Sequence, residues 1–478
     1  MTQDGKSNAH FPWSDRRPQK LSTSAGSLAH FAHRLTPASI PAAVRDSVAL
    51  RLLDTLGCAL AAAGMPWADG LLAPARQWGG QGESSVVGTS LRVAPPAAAL
   101  ANGALAHGLD FDDTHTPSIT HASAVVLPAA LALSEARGLG GAEMLTAAVA
   151  GYETITRVGM AAPGALHARG WHATAACGAF AAALTAGRCL GLTEPHLASA
   201  VGIAASCASG LLEFLEDGST VKRLHPGWAA HSGILAAGLA GAGMTGPATG
   251  LEGRFGFYRA ALGEAPDLAP LLSTLGARWE TLEIAFKPYP CCHYNHAHVD
   301  AARRLREAHA IAPAAISEVE CVVPAGEVAV VCEPAEVKRA PRTEYDAKFS
   351  LPFAVAAALL DGHVGVGTFS EARLADPALL ALAGRVRYTV DPDSPFPRTF
   401  PGHVRIRLAD GRRLEARVPA NRGGPDVPLP VGEIVDKFRD NAARALPESR
   451  ARELEKTALG LEGLDDVRAL MALARRDR

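Results

Sequence analysis

The stretch VRDSVALRLLDTLGCALAAA, residues 44–63, decides how the chain is read. Val44, Val48, Leu52, Leu56, Ala59 and Leu60 recur every three or four residues, the period of one helix face, and Gly64 ends the run. The second half of the stretch is dominated by small side chains, so the helix it predicts packs by close approach of backbones. The same texture continues downstream. Segments at about 93–107, 123–136, 141–159, 172–190, 194–209 and 228–243 carry helical periodicity, most with Gly or runs of Ala, and Gly-rich joints such as 138–141 separate them.

The character changes near Trp279. Residues 316–323 and 328–332 are Val-rich and predict strands, as does the alternation in 386–390 and 404–408. Asp410-Gly411 marks a hairpin, with Leu414, Ala416 and Val418 on the return strand. Helical runs at 299–308 and 353–360 lie between these strands. Residues 284–418 therefore predict an α+β domain inserted after a helical domain at 27–283. Beyond Gly423-Gly424-Pro425, residues 431–474 are charged and amphipathic and predict terminal helices. These are too short for a core of their own, so 419–478 is expected to return to the helical domain. The fold class is mainly α with an inserted, smaller α+β domain.

At 478 residues the chain is long enough for two or three domains. Its 46 Lys+Arg against 48 Asp+Glu leave a formal charge of −2, which supplies no field for nucleic acid or an anionic membrane. The longest charge-free run, 224–251, is broken by Pro226 and Pro247 and is mostly Ala and Gly, so it is not read as a membrane span. The N-terminal residues lack the apolar segment of a signal peptide, and 1–26 reads as a polar, flexible arm. The 8 Cys include no C-x-x-C pair and sit mostly in apolar runs, which predicts reduced thiols in a cytoplasmic protein.

Four clusters carry candidate chemistry. HGLDFDDTHTPSITH, 107–121, gathers three Asp and three His in one polar loop. Such groups can exchange protons near neutral pH, cap the following helix at Ser123, or hold a hard cation. Gly170-Trp171-His172 places an imidazole at a helix start, where the dipole favours its neutral, basic form. STVKRLHPG, 219–227, sets Lys222 and Arg223 before a helix and suits a carboxylate or phosphate, with a solvated basic turn as the plain alternative. FKPYPCCHYNHAH, 286–298, lies at the domain joint with Lys287 as its lone cation. Its cysteines suggest a nucleophile and His293, His296 and His298 a metal, but no H-E-x-x-H or nucleophile signature supports either.

Taken together, DTLGC (54–58), NGALAH (102–107) through Asp113-Thr114, Gly170-Trp171-His172, KRLHPG (222–227), KPYPCC (287–292) and AKFSLP (347–352) resemble the MmgE/PrpD family. That family includes 2-methylcitrate dehydratases, cis-aconitate decarboxylases and iminodisuccinate epimerases. The motifs run in family order over nearly the whole chain. The resemblance implies a helical domain completed by the C-terminal helices, an α+β lid between, and homodimers that work without metal or organic cofactor. It implies a cleft lined by Asp110, Thr114, His121, His172, Lys222 and Lys287, His121 matching once one residue is inserted after Thr114. Where the decarboxylases use a further His, this chain has Cys292 with His293 beside it, and Phe353 stands at a lid Tyr position.

These residues suit a small di- or tricarboxylate substrate. Lys222 and Lys287 would pair its carboxylates with help from Thr114, and His121 or His172 would take the proton next to a carboxylate, with Asp110 orienting an imidazole. The leading expectation is a cofactor-independent lyase of the dehydratase type. An epimerase of an iminodisuccinate-like acid and a cis-aconitate-decarboxylase-like enzyme are the alternatives. A non-catalytic acid-binding protein on the same scaffold and a metal-dependent hydrolase are the readings from other classes.

Overall fold

The computed structural model describes residues 23–476. The expected N-terminal arm therefore lies almost wholly outside the described residues. Its last residues are corrected: helix α1 (Ser24–Arg34) already includes 24–26, because the Thr23 hydroxyl accepts the Gly26 N–H at 3.1 Å and caps it. The chain is mainly α with a smaller α+β part, as its periodicity predicts.

The helical body is built from α1, α2 (Ala42–Ala63), α3 (Pro95–His107), α4 (Ser123–Arg137), α5 (Gly141–Met160), α6 (Ala173–Cys189), α7 (Glu194–Ala204) and α8 (His225–Gly241). Their facing residues are largely Ala, Val and Leu in one continuous core. Small residues let the axes meet. A Cβ on Gly103 of α3 would stand 2.7 Å from the Gly227 Cα of α8, and one on Gly233 would stand 2.3 Å from the Cβ of Ala182 on α6. The helix α2 is buried over nearly all of its second half.

The α+β part holds a four-stranded sheet. Strands β1 (Ile316–Pro324), β2 (Val386–Asp391), β3 (Gly402–Leu408) and β4 (Arg413–Val418) lie in the order β2-β1-β3-β4, with β1 and β2 parallel and the other pairs antiparallel. Helices α9 (His296–His309) and α10 (Leu351–Asp361) contribute to the core beside it. One predicted strand is corrected. Residues 328–332 fall in the helix Ala325–Val331 and its cap, because Pro324 ends β1 and Val328 and Val331 meet the core at helical spacing. A five-residue Val-rich run satisfies either period, so position, and not composition, decides it.

Helices α11 (Val431–Ala442), α12 (Glu448–Leu459) and α13 (Val467–Leu473) follow. Phe438, Leu454, Leu461 and Met471 belong to the same core as α2. Two short links tie the parts together. Thr114 and His115 pair antiparallel with Ala285 and Ile284, and Phe286 packs with Leu429 and Ile434. No single helix among the described residues is long and apolar enough to cross a membrane. All 8 cysteines are free thiols.

The small-residue crossings give a paired test by thermal unfolding. Gly233→Ala is expected to lower stability by about 1–3 kcal/mol, as overpacking does. Gly238→Ala, on the open face of the same helix with nothing within 4 Å of its Cβ position, is expected to raise it by up to ~1 kcal/mol through helix propensity.

Candidate active site

The loop after α3 carries three acids, and each is committed to a different partner. Asp113 is structural. Its carboxylate accepts the backbone N–H of Ser123 at 3.1 Å, at the head of α4, and pairs with Arg51 of α2 at 3.0 Å. Asp112 accepts from Nδ1 of His107 at 2.7 Å. Asp110 sits in a left-handed conformation at φ 54°, sparsely populated outside glycine and tolerated best by Asp and Asn. Its two carboxylate oxygens take the two lysines: Lys222 Nζ lies 2.5 Å from Oδ1 and Lys287 Nζ 3.2 Å from Oδ2.

The lysines arrive from distant segments, and local structure aims both. Lys222 is on the one-turn 3-10 helix Thr220–Leu224 that leads into α8. Beside it, Arg223 donates to the Gly108 carbonyl at 3.0 Å while its guanidinium lies 4.0 Å over the Trp67 ring and 4.5 Å over that of Tyr345. Lys287 follows the two-residue ribbon Ile284–Ala285, whose pairing with 114–115 brings it to the loop. Its Nζ also donates to the Asp110 carbonyl at 3.1 Å. From α11, Lys437 donates to the carbonyls of Phe111 at 2.7 Å and Lys287 at 3.0 Å, and its charge is met by Asp54 of α2 at 2.7 Å. The C-terminal helices therefore hold both the acid loop and the second lysine segment. Burial alone would raise the Asp110 carboxyl, but Lys222 and then Lys287 hold it well below the usual carboxylate range.

Four imidazoles gather beside this charged group. The ring of His121 is 4.8 Å from that of His107 and 6.0 Å from that of His172, and His172 is 5.1 Å from His225, centroid to centroid. His121 Nδ1 lies 2.8 Å from the Asp113 carbonyl and 3.2 Å from the Thr114 hydroxyl. A carbonyl only accepts, so Nδ1 carries the proton and the lone pair of the neutral ring is at Nε2. His172 precedes α6 and shares a 3.0 Å hydrogen bond with His225 through their Nδ1 atoms. Burial holds His107, His121 and His172 well below the ordinary imidazole value, and the neighbouring positive charges act in the same direction. Burial, with Lys222, lowers His225 to about 4. These rings are neutral bases at pH 7.

Asp110, Thr114, His121, His172, Lys222, Lys287, Cys292 and His293 all line one cleft of about 1060 Å³ between the helical body and the α+β part. The eight residues singled out in the sequence thus share one space. Burial pushes the Cys292 thiol up to about 12, so it faces the cleft protonated and is no ready nucleophile. Asn421 donates its amide to His293 Nε2. The other two histidines of that segment turn elsewhere: Nε2 of His296 bonds the Cys291 carbonyl at 3.1 Å and Nε2 of His298 the Val322 carbonyl at 3.0 Å. They do not join His293 as a metal set. Phe353, at the lid Tyr position, is buried with its ring 6.1 Å from that of Phe369 and does not face the cleft.

Sequence reasoning placed His107, Asp112 and His225 inside its candidate clusters but gave none of them a role of its own. Asp112 anchors His107 through Nδ1, and the Nε2 of His107 is buried without a partner. The signal was the spacing of five between His107 and Asp112 across the turn, which one of several loop conformations converts into a contact. The nitrogens of His107, His121 and His172 lie within 4.8 Å of one another and could hold a metal ion, as could the set His107, Asp110 and Asp112. In the second set both Asp110 oxygens already serve the lysines. In the first, two ammonium groups in the same cleft repel a dication and favour an anion.

Comparison with known proteins identifies the family. Residues 26–268 match the MmgE/PrpD N-terminal domain and residues 289–462 the MmgE/PrpD C-terminal domain. The chain is 30% identical over 467 residues to the cis-aconitate decarboxylase of Aspergillus terreus, covering 93% of this chain and 94% of that one. It is 30% identical to the cis-aconitate decarboxylase-like protein oryM of Aspergillus oryzae, over 93% of this chain and 96% of that one. With the human cis-aconitate decarboxylase it shares 30% identity over 80% of each chain. The chain belongs to the MmgE/PrpD family, and its kinship with decarboxylases makes it an enzyme, a lyase of some kind.

Proposed function

We propose that the chain is a cofactor-independent carboxy-lyase acting on a small unsaturated polycarboxylic acid. The observation that carries the reading is the buried Lys222–Asp110–Lys287 group facing neutral imidazoles across one cleft. Two ammonium groups against one carboxylate leave a net positive charge in a water-poor place, which attracts a substrate carboxylate and stabilises charge that develops on the adjacent carbon. His121, with its lone pair at Nε2, or His172 exchanges the proton at that carbon. Asp110 keeps the lysines at fixed distance, so the cations need no reorganisation as charge shifts. Loss of carbon dioxide leads because the relatives are named for it.

Loss of water from a hydroxy acid is the second reading. Cys292 favours it, since it replaces an imidazole that the decarboxylases use with a thiol that stays protonated. Both reactions share the proton transfer, as would epimerisation. Incubation in deuterated water with candidate acids separates them: decarboxylation gives labelled product and bicarbonate, dehydration an alkene without bicarbonate, and epimerisation exchange with inversion alone. We also propose a homodimer, to be checked by sedimentation.

Lys222→Met and His172→Asn are each expected to lower kcat by about 10²–10⁴-fold with the fold retained. Near-normal turnover in either variant removes that residue from the mechanism. The pH profile follows from the lowered imidazole values. A lowered value keeps the basic, neutral ring dominant below pH 6.5, so kcat/KM, corrected for substrate ionisation, should stay level from pH 8 to about 5.5. A fall centred near 6.5 would show that the base is an ordinary exposed histidine.

A further inference from the structure

The imidazoles that border the cleft are badly placed to keep a proton once they have taken one. His121 stands two residues before the start of α4, His172 precedes α6 and His225 opens α8, so all three lie at the positive ends of helices. Nδ1 of His121 meets a carbonyl and a hydroxyl, and Nδ1 of His172 meets His225. Among the described residues no carboxylate is hydrogen-bonded to any of these three rings; Asp112 stands 4.0 Å from His121. His107 differs on both counts. It is the last residue of α3, where the helix dipole favours positive charge, and its Nδ1 donates to Asp112 at 2.7 Å. The loop's other two acids are paired with Lys222 and Lys287 or with Arg51, whereas among the described residues Asp112 is paired with imidazole alone.

His107 and Asp112 are buried and do not line the cleft, and Nε2 of His107 has no hydrogen-bond partner. Burial raises the Asp112 carboxyl and lowers the His107 ring, which is neutral at rest, so their proton affinities approach each other. One ring nitrogen from each of His107, His121 and His172 lies within 4.8 Å of the other two. A triangle of that size has a point about 2.8 Å or less from every corner, the length of a hydrogen bond to oxygen. Nε2 is the nitrogen left to His107 and His121 for such a bond, because both Nδ1 atoms are engaged. A buried water needs roughly two to four polar partners, and three converge here. It would donate to the two lone pairs and accept from Nε2–H of His172, whose Nδ1 then accepts from His225.

We propose that His107 and Asp112 hold the proton that the cleft exchanges with its substrate, reached through one water seated between His107, His121 and His172. The carbon–hydrogen bond breaks with its electron pair left on carbon, and His121 takes the proton at Nε2. The water accepts that proton and passes one of its own to Nε2 of His107, whose positive charge the Asp112 carboxylate balances. The return runs the same path backwards, so no proton is gained or lost. His107 touches no substrate and acts through His121, as a positioning residue. This deepens the proposed function and rests on it for the proton step; the water seat and the ring tautomers do not depend on it.

The test uses the full chain labelled with nitrogen-15 histidine, and cis-aconitate as the probe acid. Nitrogen NMR of the unaltered enzyme is expected to show His107 as the Nδ1–H tautomer, its signal identified by loss in His107→Gln, with magnetisation transfer from a bound water to the rings. Asp112→Asn keeps an oxygen to accept from Nδ1 and removes the charge. It should lower kcat by about 10²-fold with KM within about twofold, and leave the His121 and His172 signals in place. Rates in mixtures of light and heavy water should fall along a bowed line in the unaltered enzyme, because more than one proton moves, and along a straight one in Asp112→Asn. His107→Gln is expected to show the same losses and serves where Asp112→Asn does not fold. A proton on Nε2 of His107, no bound water, a metal on the three rings, a straight line in the unaltered enzyme, or normal kcat in Asp112→Asn each overturns the inference. So does a loss of rate in which the His121 and His172 signals move or the line stays bowed, since a structural role predicts that. If the unaltered enzyme neither exchanges nor turns over cis-aconitate, the lyase reading falls for that acid. The NMR then still decides: the Nδ1–H tautomer with its bound water supports the seat, and the absence of either overturns both.

Discussion

Three buried charges from three distant segments meet at Asp110, and most of the site's surroundings can be understood as what it takes to keep them there. Asp110 and Lys287 are fully buried and Lys222 nearly so. Removing such groups from water costs several kcal/mol per ion, about as much as their attraction returns, so a buried group of this kind is weak evidence for stability. Its value is positional. One carboxylate between two ammonium groups gives each oxygen a donor and leaves a net positive charge that only a bound anion can complete. The left-handed backbone at Asp110 belongs to the same account, since strain of order 1–3 kcal/mol persists only where the surroundings over-determine it.

The surroundings do so through backbone groups. Lys437 reaches from a C-terminal helix to the carbonyls on both sides of the charged group, and Arg51 of α2 donates from one side to Asp113 and from the other to the Ile284 carbonyl at 2.6 Å. The helical body beneath is rigid because its axes are close: Gly and Ala at the crossings leave little space for side-chain rearrangement. A core made of small residues gains less from each burial than one made of aromatics, and compensates by density of contact.

Much of the architecture was legible. Helical spacing in 44–63 and its successors marks the helices, and the alternation in 386–390 and 404–408 marks strands, because burial of one face repeats with the geometry of each element. Residues 328–332 were not legible, since five apolar residues fit both periods. The loop at 107–121 showed that capping and acid–base chemistry were both available. It did not show that Asp113 would cap α4 while Asp110, three residues earlier, would hold two lysines.

What the sequence by itself determined is the inventory: which stretches become helix or strand, which loops carry imidazoles and cations, and, through its motifs, the family. Only the tertiary structure decided which acid meets which base and which histidines line the cleft. The reason is distance along the chain. Asp110 and Lys222 are separated by 112 positions and Asp110 and Lys287 by 177. Contacts at that separation leave no periodic trace, because they are fixed by how the elements pack and not by the local preferences of the residues that make them.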